Sequence, residues 1–137
     1  TEGERVTSAK YELFSSYDSA YIGADIVSVR LAISSYMGGA HPNTGIVGFN
    51  FDVKSGKKLT TDDALAMTGL SLADVVEKSK QELSAKLGDA FFPEGTETKP
   101  ENYETFLVDK DSVTFVFQEY QVGPYSSGLQ EVSFKRK

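Results

Sequence analysis

His41 is the only histidine of the sequence, and its side chain is the obvious candidate for a general base. Nucleophilic catalysis would combine it with a serine and a carboxylate, and Ser126, Ser127 and Asp52 are available for those roles. The Gly-x-Ser-x-Gly pattern of a nucleophile elbow does not occur. We therefore favour a loop-ordering or binding role for His41 over catalysis, and we predict that the chain is not an enzyme.

Metal chemistry is restricted because the sequence has one histidine and no cysteine, which leaves only an oxygen-ligated ion such as calcium. Two short acidic segments, 62–63 and 109–111, lack the Asp-x-Asp-x-Asp-Gly pattern of a calcium loop. A glycosidase site with two catalytic carboxylates remains possible because the chain has 20 acidic residues, although no spacing singles out a pair. We predict no metal and no cofactor.

Two segments rich in tyrosine, glycine and proline favour a role in molecular recognition. Residues 36–44 interrupt a long alternating apolar run, and residues 120–128 join two later strand-like runs. Tyrosines in such segments offer rigid amphipathic contact surface, and rigid strands commonly present functional loops. We expect the two segments to meet. The candidate binding residues are Tyr36, Gly38, Gly39, His41, Pro42, Asn43, Tyr120, Pro124 and Tyr125.

The composition restricts the class of partner. The chain has 137 residues, 39% of them hydrophobic, and a formal net charge of −6. Because nucleic-acid binding needs a basic surface that replaces counterions, we predict no nucleic-acid partner. An acidic surface suits a basic partner instead. No apolar run approaches the roughly 20 residues that cross a bilayer, so membrane contact is expected only through an anchor outside this sequence.

The elements that position the two segments are mostly strands. A first strand is predicted over 11–16. The strongest period-two alternation covers 25–36 and resumes over 47–53, which predicts an antiparallel pair with one face on a core and one near water. Pro42 cannot donate to a β-ladder and belongs in the connection between them. Later strands are predicted over Tyr103–Val108, Ser112–Gln118 and Leu129–Phe134.

Two helices are predicted between the early and late strands. Thr60 or Thr61 can cap a short helix over 62–67. Ser71-Leu72-Ala73-Asp74 resembles a capping box with aspartate in place of glutamate. The longer helix over 71–87 that it begins has an apolar stripe on one side and charged residues on the other. Packing of that stripe on the sheet is favoured over binding of a partner helix. Residues 93–102 are polar and are predicted to form an exposed loop.

These elements predict an α+β fold: an antiparallel β-sheet with one main amphipathic α-helix, inserted midway in the chain and packed on one face. Residues 1–24 are predicted to be a lead-in segment or the remnant of an upstream domain. Residues 25–137 are predicted to form a single domain, because no internal repeat or further boundary is visible.

Three segments resemble one bacterial family and occur in the same order. They are Tyr36-Met37-Gly38-Gly39-Ala40-His41-Pro42-Asn43, the Phe51–Thr60 hairpin before an acidic helix start, and Phe117-x-x-Tyr120-x-Val122-Gly123-Pro124-Tyr125-x-x-Gly128. Over about residues 25–134 the chain resembles the C-terminal domain of the lysozyme-sensing anti-sigma-V factor, a domain also found in membrane-anchored peptidoglycan deacetylases. It departs from that family at Gly123 and at the Ser126-Ser127 pair, where the family commonly has alanine.

The resemblance implies a non-catalytic binding or sensing domain outside the cytoplasm, in the periplasm or at the cell surface, with the full-length protein anchored or exported. It implies lysozyme, a basic protein, as a partner of residues 36–43 and 120–128; cell-wall glycan is the other partner that we consider. Two alternatives stay open. One is a structural accessory domain of an envelope protein, in which both loops stabilise the fold. The other is a glycan-processing enzyme that uses His41.

Overall fold

The structure is a computed structural model that describes residues 11–37 and 43–137. Its helices and strands, in chain order, are β1 (Tyr11–Ile22), β2 (Ile26–Met37), β3 (Asn43–Asp52), α1 (Thr61–Thr68), α2 (Leu72–Leu87), β4 (Phe106–Val108), β5 (Ser112–Phe117) and β6 (Gln130–Lys135). Strands β1–β3 form one antiparallel sheet, the N-terminal sheet, and β4–β6 form a second, the C-terminal sheet. The α+β prediction is confirmed, with the strands of the described residues divided between two sheets.

The N-terminal sheet is built on the long hairpin that the alternating pattern predicts. Ile26 lies opposite Asp52, and Ser35 lies opposite Asn43 at the other end of the β2–β3 pair. The antiparallel pairing of these two strands is therefore confirmed. Its register brings the end of β2 and the start of β3 to the same edge of the molecule.

The first strand is longer than the sequence predicts. It was expected over 11–16, but it continues past an irregularity between Tyr17 and Ser19 and ends at Ile22. Serine and aspartate interrupt the apolar alternation there, and pairing with β2 supplies ladder hydrogen bonds that a side-chain pattern cannot show. The predicted boundary after residue 24 falls in the turn between β1 and β2.

The C-terminal sheet holds the main hydrophobic core, with β5 as its central strand. The Tyr103 ring meets Phe115 and Phe117 edge-on, with ring centroids 5.8 and 5.6 Å apart, a geometry that aromatic quadrupoles favour. The α2 helix packs its apolar stripe into this core, as predicted. Its buried residues are Val75, Val76, Ser79 and Leu83.

Both helices begin where the capping residues predict. The Thr60 hydroxyl accepts from the Asp63 N–H, and the Asp63 carboxylate accepts from the Thr60 N–H at 2.8 Å. The same reciprocal arrangement joins Ser71 and Asp74 at the start of α2. Each box satisfies amide donors that the first helical turn leaves unpaired. Gly69 ends α1 with a φ of +72°, which suits glycine.

The two sheets meet where polar side chains of the N-terminal sheet satisfy the edge of β4. Asn50 Nδ2 donates to the Phe106 carbonyl at 2.8 Å, and the Val108 N–H donates to Ser28 Oγ at 2.9 Å. Ser28 and Asn50 are each only 3% exposed. A Cβ at Gly48 would lie 2.4 Å from the Phe106 carbonyl oxygen, so glycine permits this close approach. A buried polar seam therefore joins the sheets.

On the β2–β3 hairpin, the face that carries most of the apolar side chains is consequently less buried than the face that carries Ser28. Side chains on the Ser28 face include Ile46, which is 4% exposed, whereas Phe51 on the opposite face is 36% exposed. The half-buried members of that opposite face are Val27, Val29, Leu31, Ile33, Val47 and Phe49. The alternation correctly predicts two distinct faces, but contact with β4 decides which of them is buried.

The segment before β4 differs from the prediction. The strand predicted over 103–108 is wrong at its start, because Tyr103 ends a 3₁₀ turn and β4 begins at Phe106. The prediction of an exposed loop over 93–102 is also wrong at Thr96, which is fully buried and whose carbonyl accepts the Tyr103 hydroxyl at 2.9 Å. Burial raises the pKa of Tyr103 to about 12. Composition does not reveal that a polar segment is anchored by one aromatic ring.

Candidate functional site

The first predicted binding segment lies at the edge where β2 ends and β3 begins. Tyr36 occupies the second-last position of β2, opposite Glu12, and Asn43 opens β3 with an exposed side chain. The remaining predicted residues of this segment, Gly38, Gly39, His41 and Pro42, lie outside the described residues. The structural account of the site therefore rests on the start of β3 and on what lies against it.

The segment that follows β5 lies directly against the start of β3. The Thr44 N–H donates to the Glu119 carboxylate at 2.5 Å. The Gln118 amide makes two bonds to Ile46: it accepts from the N–H and donates to the carbonyl, each at 2.9 Å. Gln118 thus pairs with the β3 edge much as a neighbouring strand would. These bonds join the start of β3 to the two residues that directly precede the 120–128 segment.

A groove of about 550 Å³ opens at this junction. We call it the Tyr120 groove. Its apolar lining residues are Ile33, Ile46 and Val47, and its polar and aromatic ones include Asn43 and Tyr120. Its other lining residues are Ser35, Thr44, Gly45, Gln118 and Glu119. An apolar lining with a few polar groups and an aromatic ring is typical of ligand-binding concavities.

Tyr120 has an unusual backbone for a bulky residue. Its φ is +68°, and among the described residues it is the non-glycine residue with positive φ. Such a conformation costs about 1–2 kcal/mol for a residue with a Cβ. Its side chain is nonetheless 51% exposed. A strained residue that presents its ring to solvent is a mark of a functional position rather than of core packing.

A second tyrosine supports the Tyr120 ring. The Tyr125 ring centroid lies 5.9 Å from that of Tyr120, with the planes inclined by 37°. Tyr125 opens a 3₁₀ turn that follows Pro124, and the Ser127 N–H donates to the Pro124 carbonyl at 2.9 Å. Offset aromatic pairs of this kind are worth about 0.5–1.5 kcal/mol beyond area burial. The pair forms a rigid aromatic ledge beside the groove.

The segment is also anchored from behind by Gln121. Its side-chain oxygen accepts from the Gln118 N–H at 2.9 Å, and its amide nitrogen donates to the carbonyls of Gly95 and Asn102 at 3.1 and 3.0 Å. A Cβ at Gly95 would lie 1.9 Å from the Gln121 carbonyl oxygen. This tight contact fixes the Tyr120 segment on the turns that precede β4.

Sequence reasoning missed the three side chains that assemble the groove. Gln118, Glu119 and Gln121 were not among the predicted site residues. The available signal is local: an amide and a carboxylate follow directly after the apolar residue Phe117, which ends β5. The partners of Gln118 and Glu119 on β3 are 72–75 residues away in sequence, those of Gln121 include Gly95 and Asn102, and no periodicity relates these residues.

Carboxyl groups with a perturbed pKa show no sign of acid–base chemistry. Turn N–H groups of Ser55 and Lys54 lower the pKa of Asp52, the N–H and hydroxyl of Ser71 lower that of Asp74, and Lys99 lowers that of Glu97. A general acid at neutral pH requires the opposite shift. These groups act as a turn ligand, a helix cap and half of an ion pair.

Within residues 11–37 and 43–137, no group of three or more histidine, cysteine, aspartate or glutamate side chains is placed to hold a metal ion. The helices in the same residues are all too short or too polar to span a bilayer.

Comparison with known proteins identifies relatives of this chain. The family model described as a protein of unknown function (DUF3298) matches residues 57–137. The chain is 29% identical over 136 residues to the peptidoglycan-N-acetylmuramic acid deacetylase PdaC of Bacillus subtilis. This match covers 95% of this chain and 29% of PdaC. It is 27% identical over 111 residues to the esterase Rv3036c of Mycobacterium tuberculosis, covering 80% of this chain and 48% of the esterase. The chain spans less than half the length of both.

Solved structures show the same fold. A DUF3298 family member from Bacteroides fragilis superposes with a TM-score of 0.72 at 24% identity, covering 98% of this chain and 56% of that one. A DUF3298 family protein from Pseudomonas aeruginosa gives 0.61 at 16% identity, covering 98% and 68%. The similarity to PdaC confirms the predicted resemblance to peptidoglycan deacetylases. The finer likeness to the anti-sigma-V factor stays a prediction.

Proposed function

From the premise that this chain belongs to the DUF3298 family, we propose that it is a non-catalytic binding domain of the bacterial cell envelope. It acts outside the cytoplasm and recognises cell-wall glycan at the Tyr120 groove. Because the chain covers 29% of PdaC, the deacetylase activity in that name is not transferred to it. The proposal concerns recognition by this part alone.

The observation that most supports binding is the strained, exposed Tyr120 beside an apolar groove. Its positive φ costs free energy, and the residue is 51% exposed. Both are expected if the residue is held in place to meet a ligand, because aromatic rings give large contact area with little entropy loss on binding.

Glycan suits the chemistry of this groove. Sugar rings present apolar C–H faces that stack on aromatic rings, and hydroxyl edges that require hydrogen-bonding partners. The Tyr120–Tyr125 ledge offers the first kind of contact. Asn43 and Glu119 offer amide and carboxylate groups in the groove lining. Peptidoglycan, the substrate in the name of PdaC, is a polymer with these properties.

A basic protein such as lysozyme is the second candidate partner. The chain's net charge of −6 favours encounter with a cationic protein. Tyrosine pairs are also frequent at the centres of protein interfaces. Lysozyme binding would therefore weaken strongly between about 0.1 M and about 1 M salt, because screening shortens the range of charge attraction. Binding of a neutral glycan would change little.

The test is a calorimetric titration of the 137-residue chain, first with a tetramer of N-acetylglucosamine and then with lysozyme. Tyr125→Ala removes half of the aromatic ledge and is expected to weaken binding about tenfold, equal to roughly 1.4 kcal/mol. Phe51→Ala is the matched control, since Phe51 is also exposed but lies at the opposite end of β3. Equal losses in both variants, or none in Tyr125→Ala, would contradict the proposed site.

Product analysis tests the non-catalytic part of the proposal. We expect mass spectra of the glycan to be unchanged after long incubation at high protein concentration. Release of acetate or shorter glycans that His41→Ala abolishes would instead support the glycan-processing alternative. Loss of stability in Tyr125→Ala and Tyr120→Ala, with no ligand found, would support the structural alternative.

A further inference from the structure

We propose that the outer edge of β6 pairs with the same edge of a second copy of this chain, so that two copies form a symmetric dimer. β6 is an end strand of the C-terminal sheet, in which it pairs with β5. This edge is a different surface from the Tyr120 groove, because the residues that line the groove do not include any from β6. The dimer is therefore independent of glycan recognition.

The backbone groups of β6 point in two alternating directions. Directly after the strand, the Arg136 N–H donates to the Asp111 carbonyl, next to the start of β5, at 2.9 Å. The following Lys137 N–H donates to the Met67 carbonyl at 2.8 Å, on the side away from β5. Successive residues of an antiparallel strand bond in opposite directions. The β6 residues whose N–H and C=O groups point away from β5 are therefore Glu131, Ser133 and Lys135.

This outer edge of β6 is open. Within residues 11–37 and 43–137, no hydrogen bond occupies the three N–H and three C=O groups that point outward. The contact between Lys137 and Met67 closes the edge only beyond the end of the strand. A row of unpaired backbone groups is a template for another strand. The open edge therefore has the donors and acceptors that strand addition requires.

The exposed side chains of β6 are complementary to themselves in one antiparallel register. Glu131, Ser133 and Lys135 are exposed and alternate with buried residues. When two copies pair about Ser133, Glu131 of each copy lies opposite Lys135 of the other. Opposite charges at facing positions stabilise an antiparallel pair, whereas like charges destabilise it. The charge pattern therefore favours a second copy as the partner, in a twofold interface that uses the same surface twice.

The same register also extends the hydrophobic core. Val132 and Phe134 are 3% and 7% exposed, and the pairing places Val132 of one copy opposite Phe134 of the other. A groove of about 470 Å³ lies between β6 and α2, and Leu70 contributes to its apolar lining together with these two residues. A strand with apolar side chains on this face covers that lining without adding a charge to it. The buried face therefore supports the same partner as the exposed face.

Cysteine cross-linking tests the register directly. The chain has no cysteine, and the two Ser133 positions of the proposed dimer have Cα atoms about 5.5 Å apart, which is within disulfide range. We expect Ser133→Cys to form a disulfide-linked dimer about tenfold faster than Ser84→Cys under mild oxidation, because pairing raises the effective thiol concentration. Ser84 is the matched control, since it is an exposed serine on α2. Equal rates would overturn the proposed register.

Sedimentation equilibrium tests the charge pattern in solution. We expect the native chain to dimerise reversibly as its concentration rises to about 1 mM. Lys135→Glu places a carboxylate opposite Glu131 of the second copy, and it is expected to weaken dimerisation about tenfold. Lys110→Glu in the exposed turn between β4 and β5 is the matched control, because it makes the same charge change away from β6. An equimolar mixture of Lys135→Glu and Glu131→Lys chains restores opposite charges at both facing positions and should recover the native affinity.

The remaining outcomes separate the dimer from the proposed function. Ser133→Pro removes an outward N–H at an edge position that proline tolerates, and it should give a folded monomer. That monomer should bind glycan at the Tyr120 groove as the native chain does. A native chain that stays monomeric at about 1 mM, or Lys135→Glu and Lys110→Glu variants that dimerise equally, would overturn the dimer and leave the groove proposal standing. A dimer that binds no glycan would overturn only the groove proposal.

Discussion

At the scale of single residues, Tyr120 combines two features that stability alone would not select. A bulky residue with φ of +68° is strained, and an exposed ring gains little from burial. Residues around it are fixed by several hydrogen bonds: Gln118 to β3 and Gln121 to the turns before β4. The surrounding structure therefore holds Tyr120 in its strained conformation.

Comparison of two substitutions at this position isolates the backbone strain. Tyr120→Ala and Tyr120→Gly both remove the ring, but only glycine adopts positive φ without a steric penalty. We expect the glycine variant to be more stable than the alanine variant by about 1 kcal/mol, measured by urea unfolding. Both variants should lose binding equally. Equal stability of the two would show that Tyr120 leaves this conformation in solution.

A carboxylate at a helix start sets one part of the pH dependence. The Ser71 N–H and hydroxyl bond the Asp74 carboxylate and lower its pKa below the ordinary 3.8. A lowered native pKa contributes stability that is present above the unfolded pKa and is lost as pH falls through the native one. We expect Asp74→Asn to reduce stability at pH 7 by more than at pH near 3.

Urea midpoints of the native chain and of this variant, measured across that pH range, provide the check. Asp111→Asn in the exposed turn between β4 and β5 is the matched control and should show no such convergence. A constant difference between Asp74→Asn and the native chain down to acid pH would mean that the cap acts without its charge.

At the scale of elements, the fold depends on the seam between the sheets. The N-terminal sheet presents Ser28 and Asn50 to the edge of β4, which covers backbone groups that an open edge would leave exposed. This contact keeps β3 in position for Gln118, and hence positions the Tyr120 groove. The seam is polar, buried and specific, and it has little tolerance for added volume.

Two glycines of β3 provide a direct test of this seam. A Cβ at Gly48 would meet the Phe106 carbonyl oxygen at 2.4 Å, whereas at Gly45 the nearest atom is Gln118 Oε1 at 3.6 Å. Gly48→Ala is expected to destabilise the chain by about 1–3 kcal/mol in urea unfolding, because backbone must move. Gly45→Ala should change stability by less than about 1 kcal/mol. Similar losses in both would indicate a looser junction.

Elements with local signals were predictable from sequence, and contacts between distant elements were not. The capping residues Thr60 and Ser71 predict where both helices begin, and the alternation around 25–36 predicts the long β2–β3 hairpin. The two-sheet arrangement was not visible, because it depends on Ser28 meeting β4 about 80 residues later. The sequence predicts a strand at Tyr103 for a similar reason: its apolar neighbours suggest one, but its ring anchors a turn.

In the candidate site, too, residues with a local signal were predictable and contacts between distant elements were not. Tyr120 and Tyr125 could be selected because of their composition and their resemblance to a known domain, and their mutual contact fits that choice. The Tyr120 groove itself depends on Gln118 and Glu119, whose partners on β3 are 72–75 residues away. Amide and carboxylate side chains occur on most protein surfaces, so these residue types alone do not reveal that Gln118 and Glu119 bond the backbone of β3.

At the scale of the whole molecule, the hydrophobic core and the proposed binding groove lie in different places. The hydrophobic core lies between the helices and the C-terminal sheet, and the Tyr120 groove lies where the N-terminal sheet meets the end of β5. The family match covers residues 57–137, so β1–β3 lie outside it, and of the residues that line the groove only Gln118, Glu119 and Tyr120 lie inside. We infer that the part of the chain inside the family match provides the core and the aromatic ledge, and that the β2–β3 hairpin completes the binding surface.

The measurement that most directly tests the central claim is co-sedimentation of the chain with purified insoluble peptidoglycan. We predict saturable pelleting of the native chain and of Phe51→Ala, and about tenfold weaker pelleting of Tyr120→Ala, because the exposed ring provides the main stacking contact. The salt concentration should matter little. Native and Tyr120→Ala chains that pellet equally, or a native chain that stays in solution, would contradict recognition of cell-wall glycan at the Tyr120 groove.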